Sequence, residues 1–182
     1  MTNTRTASSS PVSISEIVRD DLLQVRKKLD RATVNKYAEQ MLAGAAFPPV
    51  TVARINGELF LLDGWHRMSA AECIEAREID AVVTNMSRQD AIWEAARANL
   101  THGLPLKKTE QREVFRAYVR SGRHNHGGKY KSYREIAKEL GGLAQYTTIR
   151  SWMEKDFRRV FNSMSGHGGT SNPAAGPPKV DL

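Results

Sequence analysis

The sequence has 182 residues, of which 40% are apolar, and a formal net charge of +7. Its length suits one domain or two small ones, no apolar run is long enough to cross a membrane, and the N-terminus lacks the apolar core of a secretory signal. The single cysteine, Cys73, excludes an internal disulfide and fits a cytoplasmic protein, whereas the basic excess serves either solubility alone or binding to a polyanion, above all nucleic acid.

Strand and helix patterns alternate through the first half of the chain. Residues 1–12 are polar and rich in Ser and Thr, and we expect them to be disordered; a short β-type segment follows them. Apolar residues recur at helical spacing over residues 31–44, a helix that its final glycine terminates. Residues 48–63 are rich in β-branched and apolar residues on both sides of Asn56-Gly57, which is a favoured two-residue turn of a β-hairpin.

The second strand of this hairpin breaks at Asp63-Gly64, and a helix follows. We expect this helix to reach about residue 76 and to place Ala70, Cys73 and Ile74 against the core. The break between strand and helix carries the sequence DGWHR, whose residue types suggest a binding function.

A helix N-terminus presents unpaired N–H groups and a partial positive charge, and glycine lets the backbone approach an anion closely. Arg67 adds a planar fork for phosphate oxygens, and His66 adds a second donor or a group that transfers a proton. The turn is therefore either a phosphate cradle built on Gly64, His66 and Arg67, or a hydrogen-bonded structural turn in which Asp63 caps the helix, His66 packs and Arg67 is solvated.

Three further elements follow before the chain becomes Gly-rich. Residues 79–85 form a strand, and a helix runs from Ser87, with Asp90 as its capping partner, to about Gly103. The next helix is expected to have Thr109 as its N-cap.

Residues 131–157 show the pattern of a helix-turn-helix. A capping box at Ser132 opens the first helix, a Gly-Gly pair forms the turn, and the second helix starts at Thr147 or Thr148. The second helix of such a unit enters the DNA major groove by its N-terminal residues. The alternative is a helix pair that serves only packing or dimer contacts.

The predicted DNA contacts divide by their chemistry. Arg150 would hydrogen-bond guanine or phosphate, threonine hydroxyls would bond base edges, and the remaining cations would hold the phosphate backbone. The residues so assigned are Lys129, Lys131, Arg134, Thr147, Thr148, Arg150, Arg158 and Arg159, with Gln145, Tyr146 and Ser151 beside them.

Four stretches, in the same order, resemble the ParB/sulfiredoxin superfamily. They are QVRKKLD at 24–30, FPPVTV at 47–52, LLDGWHRMSAA at 61–71 and RANLTHGLPL at 97–106. The third stretch is similar to F-G-G-C-H-R of sulfiredoxins and to G-E-R-R-x-x-A of ParB proteins, and the fourth is similar to the E-N-x-x-R-x-x-L box of ParB proteins. The resemblance covers about half of the chain.

The resemblance implies an α+β fold with a small mixed-sheet, nucleotide-binding domain over residues 13–104. A helical DNA-binding domain with the helix-turn-helix is expected over residues 105–162, and a disordered tail over residues 163–182. The implied ligand is ATP or CTP with Mg²⁺, and the implied partner is DNA, with a homodimer left open. The implied nucleotide-binding residues are Arg26, Gly64, His66, Arg67, Asn99 and His102.

Two departures from the superfamily pattern bear on catalysis. Trp65 replaces the sulfiredoxin cysteine, so the thiolate chemistry of a reductase is not expected. Ala98 replaces the ParB glutamate that would hold Mg²⁺. Glu94, one helical turn earlier, is the candidate replacement and metal ligand, and Asp63 and His66 are the other candidate catalytic residues.

These features support two hypotheses. The compact layout resembles phage and conjugative-plasmid proteins such as Osa-like fertility inhibitors, a subgroup associated with ATP hydrolysis and DNA cleavage, so the chain would be a DNA-associated triphosphatase with nuclease activity. Alternatively, it is a DNA-binding partition or transcription regulator that uses nucleotide only as a switch. The His124-Asn125-His126 run is not interpreted as a nuclease motif, because it lies within one Gly-rich segment, residues 121–131, which we expect to be a solvated loop.

Overall fold

The computed structural model describes residues 8–25, 28–101 and 106–166. The chain divides into two compact units, Met1–Ala98 and Asn99–Leu182. The division falls earlier than the predicted boundary after residue 104. In the described part of the chain, every helix is too short or too polar to cross a membrane.

The first unit is built on a five-stranded mixed sheet with the order β1-β5-β3-β4-β2. Its strands are β1 (Ser10–Ser13), β2 (Ile17–Val18), β3 (Val50–Ile55), β4 (Glu58–Asp63) and β5 (Glu78–Asn85). Parallel pairing joins β3 to β5 and β2 to β4, while β1–β5 and β3–β4 are antiparallel. The first unit therefore contains both a mixed sheet and helices, which confirms the predicted α+β class.

Part of the N-terminal segment differs from the prediction of disorder. Residues 10–12 belong to β1, which pairs with β5 from Ser10↔Ala81 to Ser13↔Glu78. The pairing partner lies far along the chain, so a polar composition alone did not reveal the strand. Residues 1–7 lie outside the described residues.

The predicted β3–β4 hairpin is confirmed, with Ile55 opposite Glu58. Asn56 and Gly57 have φ values of 52° and 94°. A two-residue hairpin turn of this kind requires positive φ at both central positions, which Asn and Gly tolerate best. The sequence therefore sets the register of the pair that leads into the candidate site.

The helices of the first unit are α1 (Arg31–Leu42), α2 (Trp65–Cys73) and α3 (Arg88–Thr101). Asp30 caps α1 by accepting a hydrogen bond from the Thr33 N–H at 3.0 Å, and Gly44, with φ 80°, follows its C-terminus. Ser87 Oγ accepts from the Asp90 N–H at 3.1 Å at the start of α3. The predicted cap of α3 is therefore confirmed.

The core of the first unit lies on both sides of α2. Met68 packs with the sheet residues Val50 and Leu61, whereas Ala70 packs with Val34 and Ala38 of α1.

The prediction that Cys73 is buried is wrong, because its side chain is exposed. Ala70 and Ile74 are four positions apart and face α1. Cys73 is the last residue of α2 and does not belong to the cluster of residues that packs there.

The second unit contains α4 (Lys108–Arg120), β6 (Asn125–His126), β7 (Lys129–Tyr130), α5 (Tyr133–Glu139), α6 (Tyr146–Asp156) and α7 (Arg158–Gly166). The prediction of Thr109 as the N-cap of α4 is wrong. Lys107 occupies that position, and its backbone N–H donates to Glu110 Oε2 at 2.8 Å. A capping carboxylate three residues ahead therefore sets the start of this helix.

The Gly-rich segment forms a hairpin instead of the expected loop. β6 and β7 pair with His126 opposite Lys129, and the turn residues Gly127 and Gly128 have φ values of 58° and 81°. Residues 163–166, predicted to open a disordered tail, complete α7, whereas residues 167–182 lie outside the described residues.

The helix-turn-helix is present as α5 and α6. Ser132 Oγ accepts from the Glu135 N–H at 3.3 Å, and the Glu135 carboxylate accepts from the Ser132 N–H at 2.7 Å, so the predicted capping box is confirmed. α6 begins at Tyr146 with Gln145 as its N-cap, one or two residues before the predicted start. The buried residues between the helices are Ile136, Leu140, Ile149 and Met153.

We expect Gly64→Ala to destabilise the first unit by about 2–4 kcal/mol. Gly64 has φ +98°, and an added Cβ would lie 2.6 Å from Val50 Cγ1. Gly57→Ala is the matched control, because φ is +94° but nothing lies within 4 Å of the added Cβ, so only a backbone strain of about 1–2 kcal/mol remains. Urea unfolding followed by circular dichroism measures both losses. Equal losses would contradict the close packing of Gly64 against Val50.

Candidate functional site

The β4–α2 turn presents the first amides of α2 at the edge of the sheet. Gly64 is the N-cap in a left-handed conformation and has no side chain to bond these amides. Trp65, which stands where sulfiredoxins have cysteine, packs against the sheet core. The helix therefore begins without a side-chain cap.

His66 connects this turn to a second helix N-terminus. Its Nε2 accepts a hydrogen bond from the backbone N–H of Asp30, the N-cap of α1, at 3.1 Å. Nε2 is therefore the acceptor of this pair. The N-terminal ends of α1 and α2, with their partial positive charges, therefore meet at His66.

Arg67 holds the turn against the segment that precedes β3. Its Nη1 donates to the carbonyl oxygens of Pro48 (2.5 Å) and Pro49 (2.7 Å), and its Nη2 donates to Asp63 Oδ2 at 2.9 Å. The side chain is only 16% exposed. The expectation that Arg67 is solvated in a structural turn is therefore wrong, and so is the expectation that the Asp63 side chain caps α2, because its carboxylate bonds Arg67 and no side chain caps this helix.

A pocket of about 280 Å³ lies beside Arg67 in the first unit. Its wall is largely apolar and includes Met41, Phe47 and Ile74, while Arg67, Glu78 and Asp80 supply charged groups. Apolar walls with a few polar groups are typical of small-molecule sites. Of the residues at the start of α2, Arg67 lines this pocket, and the other α2 residue in its wall, Ala71, lies one turn further along the helix.

The candidate catalytic carboxylates are both engaged in ion pairs. Glu94 Oε2 accepts from Arg97 Nη2 at 2.6 Å, and Asp63 pairs with Arg67. Among the described residues, no group of three or more His, Cys, Asp or Glu side chains is placed to hold a metal ion.

The remaining predicted nucleotide ligands are distributed differently. Asn99 lies half-buried near the end of α3, and Arg26 and His102 lie outside the described residues. The structure brings together Asp63, Gly64, His66 and Arg67. The sequence analysis missed Asp30, whose backbone N–H reaches His66 across the fold. No local pattern links residues so far apart in sequence.

The predicted DNA-binding cations fall into two groups. Lys131 Nζ bonds Glu139 Oε2 at 2.7 Å and is 23% exposed, and Arg158 bonds Glu154 at 2.9 Å. The other four predicted DNA-binding cations are exposed and form no ion pair with any described residue; they are Lys129, Arg134, Arg150 and Arg159. This second group supplies uncompensated positive charge.

The N-terminal part of α6 is exposed. Tyr146 is 44% exposed, and the Arg134 guanidinium lies 5.0 Å from its ring centroid. Thr147 is exposed, whereas Thr148 is half-buried. Polar side chains and a cation–π pair therefore occupy the surface that the sequence assigned to DNA.

His124 is not part of a solvated loop, in contrast to the prediction. It is 7% exposed and its ring stacks on Tyr130 with a centroid distance of 5.9 Å. Burial lowers the pKa of His124, and the positive charge of Lys131 acts in the same direction. Since the charged form is disfavoured, the buried imidazole is a structural element of the hairpin.

A family model for the ParB N-terminal domain matches residues 2–100. The chain therefore belongs to the ParB N-terminal domain family, as the sequence stretches indicated.

Two kinds of relatives accompany this match. Transcriptional regulator NovG of Streptomyces niveus is 30% identical over 129 residues, which is 71% of this chain and 37% of the relative; the chain thus spans little more than a third of that protein. A Pnob8-like ParB-N domain has a TM-score of 0.57 at 13% identity and covers 89% of this chain and 74% of that domain. ParB of Caulobacter crescentus, complexed with CTP-gamma-S, has a TM-score of 0.47 at 12% identity, over 88% of each chain. The Pnob8-like domain supports the fold.

We expect the second unit to lose stability as the pH falls below about 6.5, the ordinary pKa of histidine. The folded pKa of His124 is lowered, so below this pH the unfolded chain binds a proton that the folded chain refuses, at a cost approaching about 1.4 kcal/mol per pH unit. Thermal unfolding at pH 7.5, 6.5 and 5.5 measures the trend. His124→Phe should reduce it while His126→Phe, at an exposed position, should not, and identical trends in all three proteins would contradict the assignment.

Proposed function

We propose that this chain is a DNA-binding regulator of the ParB type whose first unit binds a nucleoside triphosphate, ATP or CTP, and whose second unit binds DNA. The observation that supports the nucleotide site best is the meeting of two helix N-termini at His66. The observations that support DNA binding are the exposed cations of the second unit and the contact of one of them, Arg134, with Tyr146 at the exposed start of α6.

The triphosphate is proposed to lie on the β4–α2 turn. The amides that follow Gly64 would donate to phosphate oxygens, because a helix N-terminus favours an anion and glycine permits its close approach. The imidazole of His66 would also donate a hydrogen bond to phosphate. The donor would be Nδ1, or Nε2 once its hydrogen bond from the Asp30 N–H is released. The fit rests on the left-handed turn at Gly64, where a Cβ would fill space beside Val50.

Arg67 would act mainly by holding this cradle in place. Three donor contacts to Pro48, Pro49 and Asp63 fix its guanidinium, so its positive charge stands behind the turn at a constant position. The pocket beside it would receive the base, with Met41, Phe47 and Ile74 in apolar contact. A bound triphosphate would give the protein a nucleotide-bound state distinct from the free state. Its phosphoanhydride bonds would be the bonds available for hydrolysis.

Nucleotide hydrolysis and DNA cleavage remain a second candidate function. The imidazole of His66 supports it, because Nε2 is able to accept a proton from water once the hydrogen bond from the Asp30 N–H is released. The ion pair of Glu94 with Arg97 and the burial of His124 favour the regulator instead. Phosphate release from ATP and CTP, with and without plasmid DNA, separates the two; turnover above a buffer control would establish the enzyme.

DNA is proposed to bind along α6 and the β6–β7 hairpin. Exposed residues at the start of α6 would approach base edges, with Arg150 one turn further along. Lys129 and Arg134 would contact phosphates, and each such contact releases counterions. Lys131 is assigned a structural role instead, because Glu139 and the Tyr118 ring hold its ammonium group.

We expect Arg67→Ala to lower ATP or CTP affinity by about 1.5–3 kcal/mol, because it removes a charge-assisted contact or the support of the cradle. Arg54→Ala is the control, since Arg54 is an exposed cation on β3 and its loss changes the net charge equally. Titration calorimetry measures affinity, and urea unfolding shows that the variant is folded at the assay temperature. Unchanged affinity in folded Arg67→Ala protein would refute the site.

We expect Lys129→Ala to flatten the plot of log K for DNA against log salt by about 0.9, the value of one phosphate contact. Lys131→Ala should leave this slope unchanged and lower the free energy of unfolding, because its ion pair is internal to the unit. Fluorescence anisotropy with a 30-base-pair duplex at four salt concentrations, a duplex length of about three helical turns, measures the slopes. Equal slope changes in the two variants would contradict the division of the cations into two groups.

A further inference from the structure

One aromatic ring of the second unit faces two arginine side chains. The Phe161 centroid lies 5.3 Å from Arg150 Cζ and 5.9 Å from Arg158 Cζ. Phe161 belongs to α7 and is 9% exposed, whereas Arg150 is an exposed residue of α6. A helix outside the helix-turn-helix pair therefore contacts an arginine on its second helix.

The neighbouring aromatic residues pack differently. Phe115 lies 5.6 Å from Trp152 and 6.0 Å from Phe157, centroid to centroid, in tilted and edge-on arrangements. These rings pack against one another in the core of the unit. Phe161 instead presents its ring to cations, an arrangement in which the ring quadrupole attracts a guanidinium group.

The contact limits the freedom of Arg150. An arginine side chain loses conformational entropy when it is ordered, and a complex that orders it on binding is weakened by that cost. Arg158 approaches the same ring and is itself held by Glu154 at 2.9 Å. Both guanidinium groups thus have a partner within the second unit.

We propose that Phe161 is a positioning residue for DNA sequence discrimination, acting through Arg150. This inference rests on the proposed DNA binding of the second unit. Phe161 itself touches no DNA; its ring holds Arg150 in the conformation that hydrogen-bonds a base edge. Its loss therefore affects the choice between sequences, while the number of phosphate contacts, and with it the salt dependence, stays constant.

The test is a double-mutant cycle in the full-length chain. The probes are a random-sequence duplex and a duplex selected by the wild-type chain from a random library. The readout is the dissociation constant of the random duplex divided by that of the selected duplex. Phe161→Leu should reduce this ratio roughly 2- to 5-fold, with an unchanged salt slope. In an Arg150→Ala background, Phe161→Leu should have no further effect on the ratio.

Two further variants separate positioning from folding. Phe161→Tyr keeps the ring and should keep the wild-type ratio, whereas Val160→Ala removes buried apolar volume from the same helix at equal exposure and should lower stability without changing the ratio. Circular dichroism verifies folding, and Phe161→Met replaces the leucine variant in the cycle if that variant loses its helical signal.

The outcomes distinguish this inference from the proposed function. A wild-type chain that binds both duplexes equally, or neither, overturns the proposed sequence-specific DNA binding and this inference with it. Two other outcomes overturn this inference alone, provided that the wild-type chain discriminates between the duplexes. In the first, Phe161→Leu lowers the ratio equally with and without Arg150. In the second, Phe161→Tyr lowers the ratio as much as Phe161→Leu does.

Discussion

The left-handed conformation of Gly64 is the constraint on which the first unit depends. It lets β4 turn directly into α2 while the backbone lies against Val50 of the adjacent strand. A side chain at this position would strain the backbone and meet buried atoms. Because the turn is this tight, α2 begins directly after β4 without a side-chain cap, and Arg67, one turn later, reaches the carbonyl oxygens of Pro48 and Pro49.

The hydrogen bonds of Arg67 explain why ligand binding and folding are difficult to separate at this site. Arg67 supplies positive charge beside the turn, but its donors already satisfy two backbone carbonyls and one carboxylate. A charged group held in this way needs no reorganisation when an anion binds, which is how preorganised sites gain affinity. Stability of the unit and electrostatics of the proposed cradle thus share one side chain.

The charged side chains of the second unit fall into two groups, those in ion pairs within the unit and those exposed at its surface. Lys131 and Glu139 surround the buried Tyr118, whose pKa is raised by burial and by the neighbouring carboxylate, so these groups stabilise the hairpin and α5. Lys129 and Arg134 lie outside such pairs and provide charge at the surface. Net charge alone suggests an anionic partner, but only the ion pairs show which cations are available to it.

The sequence by itself determined the elements with local signals, namely the Asn56-Gly57 hairpin, the capping box at Ser132 and the strand–glycine–helix turn, together with the family, because each signal lies within a few residues. The tertiary structure alone decided the bond from Asp30 to His66, the exposure of Cys73, the burial of His124 and the contact of Phe161 with Arg150. These contacts and burial states depend on which surfaces meet when helices and strands that are distant in sequence pack together. Such packing is a property of the whole chain and not of any local pattern.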